Sequence, residues 1–330
     1  MGGVWMKVLV TGGTGFVGRN LVHYLCEQGY DVTVLHRETS RLRDLPEKIS
    51  LRTGDLTRPD TIAGCCEGMD WVFHVAGEVA WGKAGKKHMF KINVNGTQHI
   101  VEEALKSGVK KFIHTSSAAA VGLPFNEIAD ESYLFNGDRL KVGYSMAKRA
   151  GEEVVLQYVK KGLCATIVNP TVILGRRNYA SNFVRSVLQG RLFVAPEGGM
   201  NVCDVDDVAK GHLLAALHGK KGERYLLGGT NLPLRELFQR IAGLAGSNRT
   251  IYTVPAPLVK GISWLGEGFS WLIGKEPPFA WDLAKLTGRN IYYSSQKAVQ
   301  ELGYRMTPLD ETLQKVLEWE KRHRSHADFA

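Results

Sequence analysis

The chain has 330 residues, 44% of them hydrophobic and 23% charged, enough to bury a large core or two lobes. Its formal charge of +9 is scattered, densest at Lys83–Lys87 and Lys321–Arg324. This suits an anionic small molecule and gives no stripe for nucleic acid. No apolar run reaches the length of a membrane span, and the N-terminal MGGVWM lacks the apolar core of an export signal. The five cysteines (Cys26, Cys65, Cys66, Cys164, Cys203) are odd in number and show no C-x-x-C spacing. They exclude a disulfide framework or zinc site and fit a reducing, cytoplasmic setting.

The first element is the stretch Lys7–Gly18, KVLVTGGTGFVG. Val8, Leu9 and Val10 suit a strand buried on both faces of a parallel sheet. After a turn through Thr11–Gly15, Val17, Leu21 and Leu25 fall on one stripe of a helix. Strand, glycine turn and helix together make a diphosphate site. Gly12 permits the tight turn, Gly15 lets backbone approach the phosphates and Gly18 lets the helix pack on the strand. The helix N-terminus offers unpaired N–H groups and a partial positive charge. Thr14, Phe16 and Val17 lie in the same turn and are expected to touch the dinucleotide. The spacing G-x-x-G-x-x-G departs from G-x-G-x-x-G, so the strand–turn–helix context carries the reading.

Asp31–Leu35 alternates like a second strand. An acid at its end would accept from the adenosine ribose of NAD, whereas arginine accommodates a 2′-phosphate. Here stand His36 and Arg37, with Arg41 close behind. Arg37 and Arg41 can pair with a phosphate through planar donor forks, which favours NADP(H) and leaves NAD(H) open. Leu51–Leu56 reads as a third strand whose end, Asp55 and Leu56, is expected beside adenine. Trp71–Ala76 reads as a fourth strand, ending with Val75, Ala76 and Gly77 where such sheets bind ligands, and His74 as a packed strand histidine. A helix through Asn93 to Leu105, a fifth strand Phe112–Ser117, a helix Tyr144–Lys161 and a sixth strand Cys164–Asn169 follow. The alternation implies an α/β fold: a Rossmann-type doubly wound parallel sheet with helices on both faces. Beyond Pro170 the alternation weakens into a smaller, discontinuous α/β substrate lobe. The expected boundaries are residues 1–175 and 201–218 for the dinucleotide lobe, and 176–200 and 219–330 for the smaller one.

Tyr144-Ser-Met-Ala-Lys148 places a phenol and an ammonium four residues apart on one helical face. A free phenol, with a pKa of about 10, is a poor base near neutrality. A neighbouring cation and an oxidised nicotinamide ring would lower it, letting Tyr144 exchange a proton with a substrate oxygen. Ser117, at the end of the fifth strand, could donate to the same oxygen. Thr115 and Ser116 read as backbone or cofactor contacts.

TGGTGFVG, GDL, NVNGT, TSS, YSMAK and NPTVILG occur in that order, followed by VDDVAKGH, GERYLLGG and SSQKAVQELGY. In this the chain resembles the extended short-chain dehydrogenases/reductases of the NAD-dependent epimerase/dehydratase superfamily over nearly its whole length. It is most similar to the dihydroflavonol 4-reductase and 3β-hydroxysteroid dehydrogenase-like branch. The resemblance implies Ser117, Tyr144 and Lys148 as catalytic residues, with Asn93 supporting the lysine or its relay water. It also implies that Tyr144 and Lys148 bind the cofactor ribose and that Pro170, Thr171 and Val172 line the nicotinamide pocket. A homodimer is a further family expectation.

Three functions stand on these residues. The first is an NADPH-dependent carbonyl reductase, or the reverse alcohol dehydrogenase, on a fairly apolar small molecule. The second is a nucleotide-sugar 4-epimerase holding NAD tightly, and the third a non-catalytic NADP(H) sensor that regulates a partner. Ala118-Ala119 replaces the acid pair of a 4,6-dehydratase, and Val121 replaces a tyrosine common in epimerases. Leu258–Ile273, with Leu258, Ile262, Leu265, Phe269 and Leu272 at helical spacing and Trp264 and Trp271 beside them, reads as a packed helix, a pocket wall or a peripheral membrane contact. Asp204, Asp206 and Asp207 read as capping and domain-joining residues, so no metal site is expected.

Overall fold

The computed structural model describes residues 6–81, 85–177, 182–273 and 280–324. The apolar run Val8–Val10 is wholly buried at the middle of a seven-stranded sheet. Across that sheet lie Arg224–Leu227, Ala165–Pro170, Lys111–Thr115, Trp71–His74, Lys7–Thr11, Asp31–His36 and Ser50–Thr53, every neighbouring pair parallel. Strands covered on both faces need apolar side chains on both, which is why they read as runs and not alternations. One face packs Leu21, Val22 and Leu25 of Phe16–Glu27 with Val208 and Leu213 of Val205–His218. The other packs Ile100, Val101 and Ala104 of Thr97–Lys106 with Val155 and Tyr158 of Gly143–Lys160. Strand order reverses between Lys7–Thr11 and Trp71–His74, leaving a crevice beyond their C-terminal ends.

A second sheet carries Thr230–Pro233, Gly199–Asp204, Asn290–Tyr293 and Glu127–Ala129 in that order, with Val172–Leu174 also paired to Gly199–Asp204. Its own core includes Leu174, Val184, Leu237, Phe238, Ile241 and Leu313.

Several expected boundaries move. The third strand stops at Thr53, because the Asp55 carboxylate accepts from both the backbone N–H and the hydroxyl of Thr57, 2.8 Å each, and turns the chain. The expected change of lobe at residue 219 does not hold: Arg224–Leu227 pairs with Ile167–Pro170 and forms the edge of the main sheet. Nor does strand Gly199–Asp204 belong to that sheet, although the helix it feeds packs against it. The helix Ala256–Ile273 forms as expected, but with Leu258, Ile262, Trp264 and Leu265 exposed and the small Ala256 and Ser263 inward. The packed-helix reading therefore fails over this part: small residues permit close approach, and the large ones are left outside. The side chains of Phe269, Trp271 and Leu272 lie outside the described residues.

Among the described residues, His74, His114 and His212 sit in the core. His74 donates from Nε2 to Thr97 Oγ1 (3.0 Å), which passes its own proton to the Asn93 carbonyl. Its Nδ1 accepts from Thr11 Oγ1 (2.7 Å). His212 bonds Val208 O and Thr115 Oγ1, both at 2.7 Å, while His114 stacks on His74 with ring centroids 5.4 Å apart. Burial lowers His74 to about 3 and His212 to about 4, and holds His114 well below its ordinary value. The unfolded chain takes up these protons near pH 6.5 and the folded chain does not, so stability is full above pH 6.5 and falls as pH drops below it. At pH 5 each site should cost about 2 kcal/mol relative to pH 7.5. Urea unfolding at the two pH values measures this, and an unchanged midpoint would show that the folded core accepts the protons.

Candidate active site

The glycine turn opens onto the crevice. Gly12 has φ +70°, and a Cβ there would lie 2.5 Å from the Ala76 amide nitrogen, so strand ends this close require glycine. A Cβ at Gly18 would run into the Gly12 carbonyl, as expected of the helix–strand contact. Gly15 instead faces outward in the turn, and the Phe16–Glu27 helix has no side-chain cap. Its first N–H groups are thus left for an anion. An uncapped helix start beside a cradle that a Cβ would fill fits a dinucleotide diphosphate at Thr14–Gly18.

Next to Ala76 stands Gly77, where a Cβ would meet Lys148 Nζ at 2.8 Å and Asn93 Oδ1 at 3.1 Å. Lys148 is buried and donates to the Thr115 carbonyl (3.0 Å). Burial lowers it to about 8, with Glu152 pulling the other way. One helical turn earlier, Tyr144 lies close enough to Ser117 for the serine side chain to act on its phenol. Burial raises the phenol and Ser117 lowers it in part, so in the protein alone the net shift is upward, against the expected lowering. Ser117 caps the short helix Ala118–Val121, its Oγ accepting from Ala119 N (3.3 Å), and Ser145 Oγ ties that helix to the tyrosine helix by donating to Ala119 O (2.6 Å). Ser117, Tyr144 and Lys148 therefore converge at the crevice.

Other expected residues take different places. Asn93 lies in a π-helical turn, Lys91–Gly96, inside an otherwise α-helical stretch. Its amide grips the Glu78 backbone from both sides, Oδ1 accepting from N–H and Nδ2 donating to C=O, 2.8 Å each. It holds the loop over Lys148 rather than the lysine itself. The Thr115 hydroxyl is taken by His212, leaving its carbonyl for Lys148, and the Leu56 side chain packs in the core. Arg37 and Arg41 are exposed past the second strand, where Arg37 lies near enough to Asp55 to help lower its carboxyl. Burial by itself would raise that carboxyl; the two Thr57 bonds overcome it. Pro170 ends its strand, Thr171 donates to Asn201 Oδ1 (2.7 Å), and Val172 is exposed. Asp204 caps its helix and joins Lys315 (2.8 Å), and Asp207 binds Thr307, the capping and joining roles expected.

Sequence reasoning missed several residues here. Trp81 packs its ring 5.2 Å from that of Tyr144 and walls the site. Asp282 accepts from the Gly143 N–H (3.1 Å), capping the tyrosine helix from 139 residues away. Glu152 and Asn169 form a buried pair behind Ser117. Only Glu152 left a signal, its i+4 spacing from Lys148.

The chain matches the NAD dependent epimerase/dehydratase family over residues 8–228. It is 34% identical to a putative dihydroflavonol 4-reductase of Synechocystis sp., covering 95% of this chain and 94% of that one. It is 30% identical to sterol demethylase protein B of Methylococcus capsulatus, covering 90% and 93%. The crystal structure of gox2253 superposes with a TM-score of 0.85 at 33% identity, covering 96% and 98%.

Asn93→Ala should cost about 2 kcal/mol, because it strands two Glu78 backbone groups. It should also speed hydrogen exchange at the Glu78 amide, and protection equal to wild type would show that the loop is held by other contacts.

Proposed function

This chain belongs to the NAD dependent epimerase/dehydratase family, and on that premise we propose that it is an NADPH-dependent carbonyl reductase, reversible as an alcohol dehydrogenase, acting on a fairly apolar small molecule. The wider class, an oxidoreductase with a nicotinamide dinucleotide, follows from the family itself. The observation that carries the finer reading is the convergence of Ser117, Tyr144 and Lys148 on the crevice beside the glycine turn.

Gly12, Thr14, Gly15, Phe16, Val17 and Gly18 would hold the diphosphate, Asp55 and Leu56 the adenine, and Val75–Gly77 with Pro170–Val172 the nicotinamide side. When bound, the dihydronicotinamide supplies hydride to the carbonyl carbon. Tyr144 gives its proton to the carbonyl oxygen while Ser117 polarises that oxygen, so ketone, hydride and proton balance to alcohol. A phenol held above its ordinary range keeps its proton at neutral pH, which suits the donor role in reduction. In the oxidative direction the positive pyridinium would favour the phenolate. Lys148 would orient the ribose hydroxyls and keep a positive charge beneath the site.

Arg37, exposed at the end of Asp31–His36, favours the 2′-phosphate of NADPH. Apolar chemistry is supported by Trp81 against Tyr144 and by the exposed Leu258, Ile262, Trp264 and Leu265. Their helix packs on Trp281–Ala284, whose Asp282 caps the tyrosine helix, which favours the pocket-wall reading of this segment. The relative named for sterol demethylation is also consistent with an apolar substrate. No helix among the described residues is long and apolar enough to cross a membrane.

Tyr144→Phe should lower turnover of a responsive ketone, found by screening apolar ketones with NADPH, by about 10²-fold or more. Unchanged turnover, or release of NAD on denaturation together with interconversion of UDP-hexoses, would overturn the reductase reading. Arg37→Ala should weaken NADPH by about tenfold and leave NADH nearly unaffected, as fluorescence titration would read. Reduction should decline as pH rises through about 8, where Lys148 loses its charge; a flat profile to pH 10 would remove Lys148 from the mechanism.

A further inference from the structure

Behind the candidate site lies a charged layer that the reaction scheme leaves unused. Tyr144, Lys148 and Glu152 follow one another at intervals of four along Gly143–Lys160 and share a face. The Glu152 side chain is fully buried. Its Oε2 pairs with Arg224 Nη2 at 3.0 Å, reaching the arginine on the edge strand of the main sheet. Its Oε1 accepts from Asn169 Nδ2 (2.5 Å), and the same amide donates its second proton to the Ser117 carbonyl (2.9 Å).

We propose that Glu152 is a positioning residue of the candidate site: it fixes Asn169 against the Ser117 carbonyl and supplies the field that favours the Lys148 ammonium. The inference rests on the reading of Ser117, Tyr144 and Lys148 as reacting groups. A carboxylate is expensive to bury, and a purely structural role would be met as well by apolar residues of similar volume. Here the one carboxylate joins both halves of the site, the serine through Asn169 and the lysine through space.

The groups that face Lys148 identify Glu152 as the source of that field. On its own helix these are Tyr144 and Glu152. From the neighbouring elements come the Thr115 carbonyl, Gly77, Asn93 and the imidazoles of His74 and His114. Both imidazoles are neutral above pH 6.5, and Glu78 turns its carboxylate to His88, 3.5 Å away. Glu152 is the anion that raises Lys148 against the effect of burial.

The test follows the lysine directly, so it does not depend on turnover. In full-length protein labelled with ¹³C-lysine, the Lys148 Cε resonance, identified by its loss in Lys148→Met, is titrated from pH 6 to 11 by NMR. Glu152→Gln should lower the Lys148 midpoint by about one pH unit, and Glu152→Asp should restore most of it. The double variant Glu152→Gln/Arg224→Gln removes the carboxylate together with its ion-pair partner and should lower the midpoint in the same direction if the single variant does not fold. In Glu152→Leu, which offers Asn169 no acceptor, the Ser117 carbonyl ¹³C shift, read in ¹³C-serine-labelled protein, should move as Asn169 loses its anchor. Midpoints equal to wild type, or an unmoved Ser117 carbonyl, would overturn the proposal. This outcome is distinct from failure of the reductase reading, which shows instead as unchanged turnover in Tyr144→Phe.

Discussion

The buried ammonium of Lys148 is the constraint that the surrounding structure accommodates. A charge out of water is costly unless it is paired or hydrogen-bonded. Here the Thr115 carbonyl accepts from it at 3.0 Å, and Glu152 lies one turn further along the same helix. Room for it exists because residue 77 has no side chain. The loop containing Gly77 is held in turn by Asn93, whose amide satisfies the Glu78 backbone on both sides. A π-helical turn places Asn93 there, and the chain Thr11–His74–Thr97 connects that turn to the end of the first strand. The lysine thus depends on contacts that run across three adjacent strands of the main sheet.

The same crevice joins the glycine turn to the tyrosine helix. Gly12 meets Ala76 where the strand order reverses, and the following residue, Gly77, meets Lys148. A dinucleotide with its diphosphate at the glycine turn would have one of its two nucleoside ends near Tyr144. The C-terminal part of the chain also contributes to the arrangement. Asp282 caps the tyrosine helix, Lys285 donates to the Lys141 carbonyl just before it (2.7 Å), and Thr312 and Lys315 bind Asp204 at the start of the helix Val205–His218. The C-terminal part of the chain therefore supports the site by bonding the start of the tyrosine helix, which has no side-chain cap of its own.

The electrostatics divide into two kinds of burial. The core histidines are neutral, and His74 and His212 each have both ring nitrogens bonded, so they act as packed polar groups. Lys148, Glu152 and Arg224 are charged residues sharing one interior layer. The first kind lends rigidity at neutral pH, whereas the second acts on Lys148 through Glu152 and reaches the Ser117 carbonyl through Asn169.

Local pattern by itself determined the sheet, the glycine turn and the Tyr144–Lys148 pair, because strand burial and helical spacing are properties of neighbouring residues. Ser117 was expected at the end of the fifth strand, but that strand stops at Thr115 and Ser117 instead caps the short helix Ala118–Val121. Tertiary structure alone decided the rest. The edge strand Arg224–Leu227 declares its sheet only by pairing with Ile167–Pro170, so the lobe boundary could not be drawn from the chain. Asn93 could be named from resemblance, but its grip on Glu78 depends on a π-turn that no spacing announces. The stripe Leu258, Ile262 and Leu265 has the period of a buried face and is exposed, since periodicity specifies a face without saying what lies against it. Asp282 and Arg224 act across 139 and 72 residues of sequence, distances that only folding closes.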